Sequence, residues 1–554
     1  MARRKNSGEK PSQERSNGSP DRAAALANRI LEPFSKWSAL SAAALCAMVA
    51  VSFFPVAYAG LVWDDNLFIA GPVLEWSGIL DIWLNPFELK EKHYWPLTYT
   101  TFWLEHKIWG MDPVGFHVVN VLLHLANTLL VFRIMLKLGV PGSWFIAAFF
   151  AVHPLHVESV AWVIQRKDVL SGLLYLLSVS AWIDFTDSGR VGRYRLSLLC
   201  FGLGLLAKSV VVTLPASLLI LQWWRNGRVE SAHAARLIPF FVLAAALVGL
   251  DQALYHARSN ADFDLSMLDR LLIASQSVWF YLGKIAFPVN LAVVYPKMDF
   301  GLDNPIAWLA LFGGLALLFA LWHFRSRIGR GPLAGVLFFT VTLSPTLGFI
   351  DYGFMKYSFV ADRFQYLAGI GIMAASVGAA AVWLSNLPLY EKLANIAAAL
   401  AICVVMGTLT WQKIGIYRDN IAFYGSILVN APDLEAINFN YANALARTSR
   451  FDEAIAWYNR TLELNPTNSD AMNNLGVVLM ESERYDDAVA HFRKSLEAYP
   501  GKIGFLNNLG IAHLSLGEVV AAEQVLEFAL AIDPDSQILR TRLLPMISEA
   551  KSQE

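Results

Sequence analysis

The chain has 554 residues, of which 56% are apolar or aromatic and only 16% charged, with a mean hydropathy of +0.43. A soluble domain carries about 25% charge, so these figures exclude a single soluble globule, as well as collagen-like, disordered and disulfide-rich classes, and identify an integral membrane protein. With 44 basic against 45 acidic residues the net charge is −1, so no nucleic-acid partner is expected and charge has to be read locally.

Residues 1–36 are polar, rich in Ser, Gly and Pro, and carry Arg3, Arg4, Lys5, Lys10, Arg15, Arg22, Arg29 and Lys36, which predicts a disordered cytoplasmic tail. The run from Trp37 to Gly60 is too long and too late for a cleaved secretory signal and reads as a first spanning helix. Further apolar spans follow at 116–137, 143–158, 168–185, 195–207, 209–224, 237–254, 305–323, 333–350, 365–385 and 393–411, making eleven. Cytoplasmic loops collect Lys and Arg. With the tail inside, Lys137, Arg190/Arg193/Arg195, Arg225/Arg228/Arg236, Arg325/Arg327/Arg330 and Lys392 all fall on inside loops. The same rule makes 196–224 a hairpin turning at Lys208, and 271–288 an interfacial helix on the outer face. The expected organisation is a tail over 1–36, a membrane domain over 37–411 with outer-face loops 61–115 and 255–304, and a C-terminal domain over 412–554. Cys46, Cys200 and Cys403 lie in apolar runs and read as inert thiols.

The C-terminal part has a different texture. Pro432, Pro466, Pro500 and Pro534 recur every 34 residues, the tetratricopeptide period. Three full units carry Ala454, Ala488 and Ala522 at one offset and Tyr458, Phe492 and Leu526 four residues later. Leu475-Gly476 and Leu509-Gly510 fill the Leu-Gly position, where the first unit has Tyr441-Ala442. Almost no linker separates the last span from the first half-unit, so the array is expected close to the membrane, with a capping helix over 535–551.

Chemistry-bearing residues gather on the expected outer face. Trp63-Asp64-Asp65 follows the first span; of two adjacent carboxylates, one can take a hydroxyl proton while its neighbour tunes it. His153-Pro154-Leu155-His156-Val157-Glu158 precedes Gln165-Arg166-Lys167-Asp168. Ionisable groups at membrane depth are costly and line cavities or pathways. A metal site on His-x-x-His-x-Glu is disfavoured because proline interrupts a helical ligand face, so no metal is expected. Arg166 and Lys167 break the positive-inside pattern, which points to an anionic partner, and Lys208 and Arg363 share their face. Such cations would stabilise a departing phosphate. No Walker A motif or Rossmann glycine fingerprint is present, so neither an ATP-driven transporter nor a nucleotide-sugar enzyme is favoured.

Trp-Asp-Asp after the first helix, Tyr94-Trp95-Pro96-Leu97-Thr98, the run from Gly115-Phe116-His117 to His124, His-Pro-x-His-x-Glu, Arg-Lys-Asp and Ala361-Asp362-Arg363-Phe364-Gln365-Tyr366 together resemble the TMTC proteins. These are transmembrane, tetratricopeptide-containing O-mannosyltransferases, and the resemblance covers about residues 55–535. It implies an all-α fold: a polytopic GT-C glycosyltransferase domain of eleven spans followed by a repeat solenoid. It also implies a polyprenyl- or dolichyl-phosphate sugar donor, no cofactor, and Ser or Thr hydroxyls of exported polypeptides as acceptors. By position, Asp64 matches the family's catalytic base, with Asp65 beside it. His153, His156, Glu158 and Asp168 are expected to line the donor cavity, and Arg166, Lys208 and Arg363 to bind its phosphate. The chain departs from the family in having Gln165-Arg166-Lys167-Asp168 for Gly-Arg-Ala-Asp and Lys208-Ser209 for Lys-Glu.

The sequence therefore predicts a membrane enzyme that transfers a sugar, mannose by resemblance, to polypeptide hydroxyls. Its partners are the lipid-linked donor, membrane lipid, and an acceptor held by repeats 430–550. The compact array suggests a bacterial cytoplasmic membrane with the repeats outside; an endoplasmic reticulum membrane is the alternative. A glycolipid or cell-wall acceptor, or a non-catalytic scaffold, are the rival functions.

Overall fold

The computed structural model describes residues 36–66, 74–85, 93–258 and 263–553, so the expected tail over 1–35 lies outside the described residues, as do parts of both outer loops. All regular structure among the described residues is helical. Helix α1 (Ala39–Ser52) opens on a capping box in which the Ser38 and Ser41 side chains each take the other's backbone N–H. Following α2 (Pro96–Trp109), α3 (Pro113–Lys137) starts with Asp112 as cap and Pro113 at its first position, where a missing N–H costs nothing. Its 25 residues reach about 37 Å, enough to cross a bilayer.

Pro154 breaks the next apolar stretch. Helix α4 (Ser143–Val152) ends at His153, held extended before the proline, and the chain bends by 50° into a short turn and α5 (Val157–Ala161). Helix α6 (Arg166–Ser188) follows; then α7 (Val191–Ala207) stops at an extended Lys208 before α8 (Leu214–Asn226). The remaining long helices of this part are α9 (Ile238–Arg258), α10 (Met267–Ala286), α11 (Pro305–His323), α12 (Gly331–Leu343), α13 (Gly369–Ser385) and α14 (Leu389–Ile414).

A helix stands at each of the eleven expected spans. By length and composition, six helical segments among the described residues can cross a membrane unaided, and the bent α4–α5 pair makes a seventh. Two further apolar helices, over Gly331–Thr346 and Gly369–Ser385, are shorter. The interfacial assignment of 271–288 falls on α10, which is not among the candidate spans.

The C-terminal part is a stack of antiparallel pairs: α15 (Asn420–Leu428) leads into α16 (Glu435–Arg447) with α17 (Phe451–Leu464), α18 (Ser469–Glu481) with α19 (Tyr485–Ala498), and α20 (Ile503–Ser515) with α21 (Val519–Ile532), closed by α22 (Leu544–Gln553). The sequence period reappears in packing and backbone alike. Ala454, Ala488 and Ala522 are fully buried, and Ser449, Glu483 and Gly517 take left-handed φ of 58°, 60° and 77° at equivalent turns. Gly476 and Gly510 are needed for close approach, because a Cβ there would stand 2.7 Å from the Phe492 ring and 2.5 Å from Leu526. The array is not hung on a free linker. Phe423, Tyr424, Ile427 and Leu428 of α15 belong to the same buried core as α1, α3, α4 and α6.

Candidate functional site

The loop after α1 carries Trp63-Asp64-Asp65. Its two carboxylates, indistinguishable in sequence, are held very differently. Asp65 is fully buried, and its Oδ2 and Oδ1 accept the backbone N–H groups of Val62 at 2.9 Å and Ile164 at 2.8 Å. Burial, reinforced by the charge of Asp64, holds the Asp65 carboxyl well above the usual aspartate range against those two hydrogen bonds. Asp65 thus pins the loop to the segment between α5 and α6. Asp64 is half-buried, in the turn just before it.

Arg166, expected to bind phosphate, is fully buried, and all five of its N–H groups are committed to the protein. Nε donates to Asn120, Nη1 to Glu105 and to Thr101 at 3.3 Å, and Nη2 to Glu105 at 3.0 Å and the Phe116 carbonyl at 2.8 Å. No donor remains for a ligand. Arg166, expected at the phosphate, is thus held as a buried cross-link joining α2, α3 and α6.

Lys208 and Arg363 differ in this respect. Lys208 at the α7–α8 break pairs with Asp168 of α6, and both line a small cavity of about 20 Å³ with Ser171, Thr342, Thr346 and Phe364. Arg363 pairs through Nη1 with Glu158, whose other oxygen accepts the Arg363 backbone N–H at 3.1 Å. Its guanidinium lies 4.1 Å from the centre of the Phe354 ring, 4.8 Å from Phe364 and 5.6 Å from Trp162. These hydrogen bonds use one of the Lys208 ammonium donors and one of the Arg363 side-chain donors. The two pairs adjoin, since the Phe364 ring beside the Arg363 guanidinium also lines the small cavity that holds Lys208 and Asp168.

The histidines are fixed by backbone. His153 Nε2 faces the Ile285 carbonyl at 3.1 Å and His156 Nδ1 the Phe150 carbonyl at 2.8 Å, so each carries its proton on that nitrogen. His124 lies beside them, its Nδ1 2.9 Å from the Tyr366 hydroxyl. Among the described residues no group of three or more His, Cys, Asp or Glu side chains is arranged to hold a metal ion.

Sequence reasoning missed Glu105, Lys413 and Asn420, and named Asp362 only as part of a motif. Glu105 is the partner of Arg166. Asp362 accepts from Tyr295 at 2.7 Å and pairs with Lys413 at the end of α14, placing a second buried ion pair beside Glu158–Arg363. Asn420 reaches the Trp63 backbone from α15. A lysine closing an otherwise apolar span was the available signal for Lys413; Glu105 and Asn420 had none. The Tyr94-Trp95 motif braces the Lys208 corner: Tyr94 N–H donates to Asp251 at 2.7 Å, and Trp95 Nε1 to Ser209 at 2.9 Å.

A separate apolar cavity of about 530 Å³ runs between α3, α6, α8, α12 and α13, lined by Tyr175, Leu176, Phe338 and Trp383 with Arg327 near one end.

Residues 426–469, 442–503 and 479–543 match tetratricopeptide-repeat family models. The chain is 26% identical over 443 residues to the human protein O-mannosyl-transferase TMTC1, covering 70% of this chain and 49% of that one. It is 24% identical over 419 residues to the Caenorhabditis elegans protein O-mannosyl-transferase F38B6.6, covering 70% and 56%. The chain thus spans about half the length of the curated relatives it matches. Among solved structures, MamA from Desulfovibrio magneticus RS-1 aligns with a TM-score of 0.22 at 17% identity, over 24% of this chain and 80% of that one.

Proposed function

We propose that the protein is a membrane glycosyltransferase of the GT-C type that moves a sugar, mannose on the analogy of its relatives, from a polyprenyl-phosphate donor to Ser or Thr hydroxyls of polypeptides. One observation carries the reading. The Lys208–Asp168 and Arg363–Glu158 pairs meet at Phe364, and Trp162, beside the Arg363 guanidinium, packs on Trp63, the residue before the half-buried Asp64.

The mechanism is one in-line displacement. The acceptor hydroxyl gives its proton to the Asp64 carboxylate while its oxygen bonds to the anomeric carbon. The bond from that carbon to the phosphate oxygen breaks, and the electron pair leaves with the lipid phosphate. Unused N–H donors on Arg363 and Lys208 take up the developing charge. Their carboxylate partners keep those cations compensated when the donor is absent. Asp65 serves as the fixed anchor of the loop instead of a second base, and His153, His156 and Glu158 shape the wall behind Arg363. The apolar cavity suits the isoprenoid chain, and the repeats present the acceptor on the same side of the membrane.

Full-length protein, a polyprenyl-phosphate sugar and a Ser/Thr peptide test this directly. Asp64→Asn should lower kcat by about 100-fold or more, the usual worth of a positioned base. In cells, glycopeptide mass spectrometry should show a single hexose lost from Ser or Thr. Full activity in Asp64→Asn removes the base; changes confined to lipid or wall glycans reassign the acceptor.

A further inference from the structure

We infer that Asn420, the first residue of helix α15 that leads into the repeat array, is a positioning residue for Asp64, so that the entry to the array builds part of the reaction site in addition to the repeats meeting the acceptor. The inference rests on Asp64 being the base.

Trp63, immediately before Asp64, has φ of +50°. A bulky side chain in the left-handed region is strained and persists only where its surroundings over-determine it. The surroundings come largely from the array. The Trp63 N–H donates to Asn420 Oδ1 at 2.9 Å, across 357 residues of sequence, and Asn420 Nδ2 reaches the Leu61 carbonyl at 3.5 Å. One side-chain amide therefore spans the strained turn. Its own place is set by helix α15, whose cap Asp419 accepts from the Ala422 N–H at 2.8 Å.

A backbone contact fastens the start of the same loop. The Gly60 N–H donates to the Tyr417 carbonyl at 3.0 Å, and a Cβ on Gly60 would stand 2.8 Å from the Arg418 carbonyl oxygen, a space only glycine leaves open. The Trp63 indole is then enclosed by Phe423 and Tyr424 of α15 at 5.8 and 6.0 Å, Trp162 at 5.8 Å and Tyr357 at 5.6 Å between ring centres. On its far side Asp64 adjoins Asp65, pinned to Ile164 of the bundle. Asp64 thus sits where one neighbour is fixed by the bundle and the other by the repeats.

The test uses full-length protein in nanodiscs, a polyprenyl-phosphate sugar and a Ser/Thr peptide, with kcat and both KM values measured. Asn420→Ala removes the acceptor of the Trp63 N–H and should lower kcat about tenfold, the equivalent of one such hydrogen bond, with both KM values within about twofold of wild type. Asn420→Asp keeps an oxygen at Oδ1 and should restore most of kcat. An unchanged kcat with a raised acceptor KM would reduce the array to a docking surface and overturn the inference. So would equal losses in the two variants, since a positioning role requires the rescue. If Asn420→Ala does not accumulate, Gly60→Ala perturbs the same clamp through Arg418 and should lower kcat with KM unchanged; a normal kcat there overturns the inference. Asp64→Asn in the same assay separates the two failures: an active Asp64→Asn defeats the base assignment, whereas an inactive one beside an unimpaired Asn420→Ala defeats this inference alone.

Discussion

Glu105→Ala discriminates a structural Arg166 from a phosphate-binding one. The wild-type guanidinium is fully buried, with Glu105 taking two of its five N–H groups and supplying its only carboxylate among the described residues. The substitution strands a positive charge with three hydrogen bonds to neutral oxygens, from Asn120, Thr101 and Phe116. Breaking a buried pair in this way costs about 3–5 kcal/mol. At roughly 2–4 °C per kcal/mol, thermal unfolding followed by tryptophan fluorescence should fall by about 10 °C. Replacing both partners, Arg166→Met with Glu105→Leu, removes the stranded charge. It should recover at least half of that loss, limited by the acceptors left behind on Asn120 and Phe116. The folded double variant should still turn over donor. A double variant that is stable but inactive, or a Glu105→Ala protein that melts with wild type, would refute the cross-link and return Arg166 to the donor site.

Two further outcomes follow from the same geometry. Lys167, in the first turn of α6, holds its ammonium 5.0 Å above the Trp95 ring and has no carboxylate partner among the described residues. Lys167→Met should raise the donor KM by about three- to tenfold with little change in kcat, as loss of one half-buried charge contact predicts; an unchanged KM removes it from the donor site. Asp65 titrates above its ordinary value because it is buried beside Asp64, so its folded form holds a proton that the unfolded chain releases. That contribution is fully present below about pH 4 and is lost as pH rises through the folded value. The stability of wild type relative to Asp65→Asn should therefore decline as pH rises above the ordinary aspartate range, and melting curves with a constant difference would contradict the shift.

The repeats were legible because their information is local and repeated. Each unit folds on its own 34 residues, so Ala454, Ala488 and Ala522 announce the same buried contact three times. The apolar helices were legible in position for a related reason: a long apolar run in a membrane protein must be helical whatever it packs against. The site was legible only as a set of residues. The motifs name the cations and carboxylates, yet nothing local says which carboxylate meets which cation. Arg166 and Lys167 are adjacent in sequence; one is fully committed to Glu105, 61 residues away, and the other to no ion pair among the described residues. Asp65 is likewise set apart from Asp64 in part by Ile164, 99 residues on. Long-range pairing of this kind leaves no periodicity to read.

The pairing itself bears on how such a site works. A cation left alone in an apolar bundle would be expensive whenever the donor was absent, so each cation that could meet a phosphate needs a resident counter-charge. A counter-charge that consumed every donor would also abolish binding, and Arg166 stands at that limit. Lys208 and Arg363 fall between the two, each held by one carboxylate with N–H groups to spare. On the proposed reading, arriving phosphate shares these cations without displacing Asp168 or Glu158, and leaving phosphate restores the compensated pair. The charge-conserving exchange Arg363→Lys keeps the pair but removes the planar fork above Phe354, and should weaken donor binding more than it weakens the fold.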